Sequence, residues 1–489
     1  MEEHLRELLG LIDDGNQVLS DYRETLSDML LENFSQQWTA WAHRHGTQTR
    51  NQAHGSPANL IDVYASVDVP EIEGFGLSDF GIKGLRTDPG MTRKNFSDVS
   101  MLKYAASAAH ITGKPLTSSE TFTWLTEHFR TSLSQMKPDL DLMFTCGVNH
   151  MFFHGTCYSP QDDPWPGWKF YASIDMSPTN SIWRDAPFLM DYIERCQRVL
   201  QAGQPDNDFL VYLPVRDMWK KRLKPGAEGL LMQFDIHTMD EKAPEFISSI
   251  LKIDSLGYDC DYISDRLLEK VVIDNGQLKT EGGTTYKALI IPTGTTIHPQ
   301  LAAQLQRLSP YVIYGEKSDE MAHFAQAEPM KRDLGLRLIR RKNDTGYTYF
   351  IANLTPHDVG AHIPLAVAAT QAYWLQPLDG SITPADIKGD RIFVNMKSGE
   401  SRILRTSPES PSTDSLPLPR ESWRGSPLTL DLRPLTLILA LRQLLQRIGT
   451  DFGIGKQSAV RGSCLLFLYL GCLPSLGLRS HSRLIVAYP

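Results

Sequence analysis

Two short stretches carry residues suited to acid–base chemistry on a polar substrate. One is Ser118-Ser-Glu120-Thr-Phe-Thr-Trp124, a carboxylate set between hydroxyls and aromatic rings. The other is Asp68-Val-Pro-Glu71-Ile-Glu73, whose two glutamates lie two residues apart and so share one side of an extended strand. Buried together they would repel unless a proton or cation intervened, so the pair reads either as an exposed acidic strand end or as oxygen ligands for calcium. Glu120 reads either as a carboxylate at a helix N-terminus, in a capping role, or as a reactive group. His150 and His154 are four apart, a zinc spacing on a helix, but Gly147, Gly155 and Phe152-Phe153 argue for strand and loop. Hydrogen bonding to sugar hydroxyls fits them better. Trp124, Trp165, Trp168 and Tyr171 offer flat apolar faces for a pyranose ring, or fill a core.

These groups need elements that aim them at one place. From Lys114 to Trp168, two short apolar runs with polar ends flank one amphipathic segment, the strand-helix-strand pattern of a parallel sheet. Residues 47–154 contain four such polar strand ends in succession: Arg50/Gln52/His54, Glu71/Glu73, Ser118/Ser119/Glu120 and Asn149/His150/His154. No G-x-G-x-x-G or Walker-type turn is present. The expected fold is α/β, with residues 1–205 forming the C-terminal half of a (β/α)8 barrel whose strand ends carry the chemistry. Helical spacing covers residues 1–45, Asn59 to Ser66, about 97 to 111, and Trp183 to Ala202.

Residues 206–330 alternate strand and helix, with runs Phe209 to Pro214, Cys260 to Ile263, Ala288 to Pro292 and Tyr311 to Tyr314, and predict a small α/β domain of flavodoxin or amidotransferase-like kind. Its strand ends lack a nucleophile elbow, so a structural role is expected. Residues 331–406 switch to period two and predict part of a β-sandwich. Residues 407–489 contain no periodic pattern that packs a domain and read as a low-order or aberrant tail.

The 489 residues are 41% apolar and 22% charged, ordinary for a globular protein of several domains. Forty-nine basic against 57 acidic residues, without a basic stripe, argue against nucleic acid. The six cysteines have neither C-x-x-C spacing nor disulfide-scaffold density, so free thiols are expected. The apolar run Cys464 to Pro474 is shorter than the roughly 20 residues of a membrane span. The amino terminus lacks the layout of a signal peptide, which leaves a cytosolic protein or a missing leader.

The ordered set Arg50 to Gly55, Asp68 to Glu73, Ser118 to Trp124, Gly147 to Thr156 and Trp165-Pro-Gly-Trp168 resembles the α-L-rhamnosidases of glycoside hydrolase family 106, and Gly335 to Arg341 and Tyr349 to Asn353 continue the likeness. The resemblance implies a calcium-dependent, inverting hydrolase that removes terminal α-L-rhamnose from oligosaccharides or polysaccharides, its full-length relatives being secreted or periplasmic. It implies Glu120 as general base, His54, His150, His154, Trp124, Asn149 and Trp168 as substrate-binding residues, and Glu71 and Glu73 as calcium ligands. The general acid of such a barrel comes from about the fourth strand. Only helical sequence precedes Arg50, so the first four strands and the acid are expected to be missing, and this chain is not expected to turn over substrate alone. The alternative is a non-catalytic carbohydrate-binding or scaffold protein derived from that family.

Overall fold

The computed structural model describes residues 4–90, 92–93, 97–125, 128–224 and 226–406. The expected tail, residues 407–489 with Cys464 and Cys472, lies outside them.

The amphipathic spacing near the amino terminus produces α1 (Gln17–Leu30) and α2 (Gln36–Arg44), joined by one wide turn at Leu31–Ser35. They lead into a four-stranded parallel sheet whose spatial order follows the chain: β1 (Arg50–Gln52), β2 (Val69–Glu73), β3 (Ser118–Thr121) and β4 (His150–Phe153). The crossovers contain α3 (Leu60–Ala65), α4 (Tyr104–Thr112) and α5 (Leu133–Thr145). Each starts for a local reason. The Asn59 carboxamide accepts from the Ile61 amide, and the Ser132 hydroxyl from the Gln135 amide. Gly113, at φ 71°, ends α4 in the left-handed conformation that lacks a Cβ penalty only in glycine. Alanines at 105, 106, 108 and 109 bring α4 close to the sheet. The apolar side of β2, Ile72, belongs to the same buried core as Leu60, Val63, Tyr104 and Leu142.

After α6 (Ala186–Gln201) comes a second four-stranded parallel sheet, ordered β8-β7-β5-β6, from β5 (Phe209–Tyr212), β6 (Cys260–Ile263), β7 (Ala288–Ile291) and β8 (Val312–Tyr314). Every residue of β5, β6 and β7 is buried, as the unbroken apolar runs Phe-Leu-Val-Tyr and Ala-Leu-Ile-Ile require of strands covered on both faces. The crossovers include α7 (Pro244–Ser255) and α8 (Pro299–Arg307).

Period two beyond residue 331 resolves into antiparallel strands β9 (Arg337–Asn343), β10 (Gly346–Ala352), β11 (Val359–Pro364), β12 (Ala372–Leu375), β13 (Arg391–Met396) and β14 (Ser401–Thr406). Strands β9, β10, β12 and β14 share a six-stranded sheet, and β11 and β13 a three-stranded one. Leu338, Tyr349, Ile351, Trp374 and Leu404 of the larger sheet meet Ile363, Ile392, Val394 and Met396 of the smaller in one core. Its other face, Ile339, Phe350 and Ile403, packs with Leu140 and Phe144 of α5 and Leu189 of α6. This explains why β10 is apolar on both sides. The larger sheet also takes Gln204–Pro205 as an edge, a stretch that reads in the sequence only as a helix breaker.

Cys146, Cys157, Cys196 and Cys260 are free thiols. Among the described residues no helix is long and apolar enough to cross a membrane.

Candidate functional site

Alternation along the first sheet sorts its side chains into two chemistries. Ile72, Ser119, Thr121 and Met151 lie on one face. Arg50, Gln52, Glu71, Glu73, Ser118, Glu120, His150 and Phe152 lie on the other, because the register pairs Gln52 with Glu71, Glu71 with Ser118, Glu73 with Glu120, and Glu120 with Phe152. At the carboxyl ends of the four strands this yields a row: His54, Glu73, Glu120, His154.

Contacts within the row are direct. His54 Nε2 lies 2.7 Å from a Glu73 carboxylate oxygen. Glu120 Oε1 accepts from the Thr123 hydroxyl at 2.8 Å and lies 3.8 Å from His154 Nδ1, which is itself 2.8 Å from the Ala172 carbonyl oxygen. Thr123 can reach back to Glu120 because Phe122 takes a left-handed φ of 68° and turns the chain off the strand. No helix starts there, which excludes the capping role for Glu120. The Glu120 side chain is 25% exposed, whereas those of Glu71 and Glu73 are each 8% exposed. Glu120 is therefore the carboxylate of this face that a ligand can reach.

The two buried glutamates are spoken for. Glu71 accepts from the Arg50 guanidinium and from the Ser118 hydroxyl at 2.8 Å, and Arg50 lies 3.8 Å from the centroid of the Phe152 ring. Burial lifts the Glu71 carboxyl to about 6 against the pull of Arg50 and Ser118. Burial alone would lower the His54 pKa, but the Asp235 and Glu73 carboxylates outweigh it and raise it to about 9. His54 is thus an imidazolium at neutral pH, and its nearness holds Asp235 down at about 2.

That pairing bears on the expectation of Glu71 and Glu73 as calcium ligands. They do share a side of β2, but each has its own cationic partner, Arg50 and His54, in place of a shared ion. Among the described residues no group of three or more His, Cys, Asp and Glu gathers as a metal site. The residues do not fit calcium as they stand.

Two expectations are overturned. Trp124 is 2% exposed and stacks edge-on against Phe122 in a core with Met136, Leu140 and Phe144, because the turn at Phe122 sends it to the apolar side. Asn149 precedes β4 at the amino ends of the strands. Its carboxamide oxygen accepts from the Thr117 amide at 2.9 Å and its NH2 donates to the Pro115 carbonyl at 3.0 Å, a lock between β3 and β4 on the side away from the row. His150 is on the row's face but opposite Ser118, one step deeper than Glu120. Burial, assisted by Arg50, lowers its pKa and keeps it neutral. Trp168 is 54% exposed on the loop after β4, its amide bonded to the Ser159 hydroxyl at 2.8 Å. The ring of that loop that packs on the row is Phe170, edge-on to His154 at 4.8 Å.

Asp235 and His237 had no signal in a search for polar strand ends, since they lie in a connecting segment 180 residues beyond His54. The clue available was the alternation of apolar and polar residues from Met232 to His237.

With this geometry in hand, comparison with known proteins is informative. Residues 6–330 match the glycoside hydrolase family 106 model, described as alpha-L-rhamnosidase. A solved rhamnosidase from Novosphingobium sp. PP1Y superposes with a TM-score of 0.57 at 18% identity, over 83% of this chain and 41% of that one, which shows a shared fold. A protein of Formosa agariphila named "Putative beta-glucuronidase" is 24% identical over 294 residues, 59% of this chain and 21% of its own length. The chain therefore spans well under half of either relative.

Proposed function

From the premise that the chain belongs to the alpha-L-rhamnosidase family, glycoside hydrolase family 106, we propose that its row of strand-end groups is a glycosidase site for terminal α-L-rhamnose. In this reading the first sheet is the C-terminal half of a (β/α)8 barrel, and the polar face that carries the row is the barrel's interior. The observation that carries the proposal is Glu120: a partly exposed carboxylate, held by Thr123 and neighboured by His154, beside two buried carboxylate–cation pairs of the adjoining strands.

Glu120 acts as general base. Its fixed carboxylate takes a proton from water as that water attacks the anomeric carbon, and the bond to the leaving oxygen breaks, the leaving group departing as the anion that an aryl rhamnoside can release and taking its proton from solvent. His154 and His54 face the sugar hydroxyls, and the exposed Trp168 offers a stacking surface at the rim. A neutral deoxy sugar suits this face better than a uronic acid. Its cations, Arg50 and His54, already serve Glu71 and Glu73, and a sugar carboxylate would meet uncompensated negative charge.

A second reading rests on a specific observation. Inversion uses two carboxyl groups roughly 6.5 to 9.5 Å apart, and with Glu71 and Glu73 paired, only Glu120 among the described residues of this face is available. The chain would then bind rhamnose without cleaving it. Incubation with an aryl α-L-rhamnoside separates the two. Release of the aryl group that falls by about 10² to 10⁴ in Glu120→Gln supports hydrolysis. Saturable rhamnose binding with no release in either protein supports binding alone, and neither release nor binding rejects both.

A further inference from the structure

One wall of the site comes from outside the first sheet. Residues 232–238, between β5 and α7 in the chain, read Met-Gln-Phe-Asp-Ile-His-Thr. Met232, Phe234 and Ile236 are buried in the large core, whereas Asp235 and His237 are only partly covered. Asp235 caps a short 3-10 turn at Ile236–Thr238, and both it and His237 stay partly exposed beside the apolar anchors. Two backbone hydrogen bonds fasten the segment to the loop after β1: the Gly55 amide donates to the Phe234 carbonyl at 2.8 Å, and the Phe234 amide donates to the Ser56 carbonyl at 2.9 Å. The Asp235 carboxylate is oriented by the His237 amide, which donates to Oδ1 at 3.0 Å. It then stands 3.8 Å from His54 Nδ1 with its side chain 43% exposed. The His237 ring lies 6.2 Å from that of His54 and 5.6 Å from that of Phe75, the residue two beyond Glu73.

We propose that Asp235 is a specificity-determining residue of this site, accepting hydroxyl hydrogens of a neutral sugar and turning away sugars that carry a carboxylate. The inference rests on the sugar-site reading of the row and adds to it a residue from a different sheet region. An oriented, half-exposed carboxylate is an acceptor only, so it rewards hydroxyl groups and penalises anions. It adds to the negative charge of Glu73 and Glu120 from the other side of His54, whose imidazolium sits between Glu73 and Asp235 and is balanced by them. The wall is also built to stay in place, with buried anchors on both sides of Asp235 and a backbone clasp at residue 234. Sugar selection by this chain is therefore shared between the first sheet and the connecting segment that follows β5.

The test is calorimetric and ligand-observed NMR titration of the full chain, its Asp235→Asn and Asp235→Ala variants, and Glu120→Gln, with L-rhamnose and with D-glucuronate. The expected result is rhamnose binding by the parent chain without measurable glucuronate binding. Asp235→Asn should weaken rhamnose by about 5- to 10-fold, a charged acceptor being replaced by a neutral one, and narrow the gap between the two sugars. Glu120→Gln should lose turnover where the parent shows it and narrow the preference for rhamnose over glucuronate less than Asp235→Asn does. The near-isosteric Asn variant guards against misfolding in the Ala variant, and both are checked by thermal melting. Rhamnose affinity within about twofold of the parent in a folded Asp235→Asn protein overturns the proposal while leaving the sugar-site reading intact. A parent chain that binds neither sugar overturns both.

Discussion

The two parallel sheets share a strand number and parallel pairing, yet differ in how they treat buried charge. In the first, the central strand β2 carries Glu71 and Glu73, each matched by one cation, and its neighbour β3 carries Glu120, whose carboxylate is left reachable. In the second, the one buried acid of the strand interiors, Asp261, is surrounded by donors. His110 Nδ1 lies 3.0 Å away, Ser107 donates at 3.2 Å, and Asn207 and Tyr286 donate at 2.8 Å each. The Asp261 carboxyl is held far below the ordinary range by His110, these hydrogen bonds and Lys103, despite complete burial. The strand order differs, following the chain in the first sheet and reversing about β5 in the second, but the parallel pairing is common to both. What separates a site from a scaffold is whether a carboxylate at a strand end keeps capacity for something other than protein.

The contrast can be broken at its strongest point first. Asp261→Ala strands four donors in the interior, two of them on α4 and two in the second sheet region, and should cost about 3 to 5 kcal/mol of stability. Denaturant midpoints check this. Glu120→Gln on the other sheet should leave the midpoint nearly unchanged, and equal losses from the two substitutions would erase the distinction.

A somewhat smaller effect separates the two tryptophans that sequence reasoning treated alike. Trp124→Ala removes a buried ring from a packed core and should cost roughly 3 kcal/mol. Trp168→Ala removes an exposed ring and should cost no more than about 0.5 kcal/mol, its effect falling on rhamnose affinity instead. Parallel melting and binding curves read both.

The smallest expected effect sharpens the electrostatics of the row. The folded-state pKa of His54, about 9, lies above its ordinary 6.5. Its stabilising contribution is therefore complete below pH 6.5 and is lost as the pH rises through 9. His54→Gln should flatten the stability profile over that window and also on the acidic side, where Asp235 loses the neighbour that lowers its pKa. An unchanged alkaline slope would show that Glu73 and Asp235 do not hold the imidazolium.

Much of the local structure was legible because it follows from periodicity. The alternation of β2 placed Glu71 and Glu73 on one face, the apolar runs 209–212 and 288–291 announced strands covered on both sides, and the four polar strand ends in sequence announced a row. Trp124 was misread because its fate depends on the positive φ of Phe122, which no spacing rule signals. How Glu71 and Glu73 are neutralised was not legible, because charge neutralisation is a matter of neighbours in space: Arg50 comes from the strand alongside and His54 from the loop after it.

The sequence alone determined the order and type of the strands and which residues could carry charge to their ends, since those are set by side-chain period and by short-range turn chemistry. Only the tertiary structure decided which charges cancel, which carboxylate stays open, and that residues 232–238 reach the loop after β1. Those outcomes depend on contacts between segments far apart in the chain, where the cost of burying an unpaired charge selects the partner and the linear order carries no record of the choice.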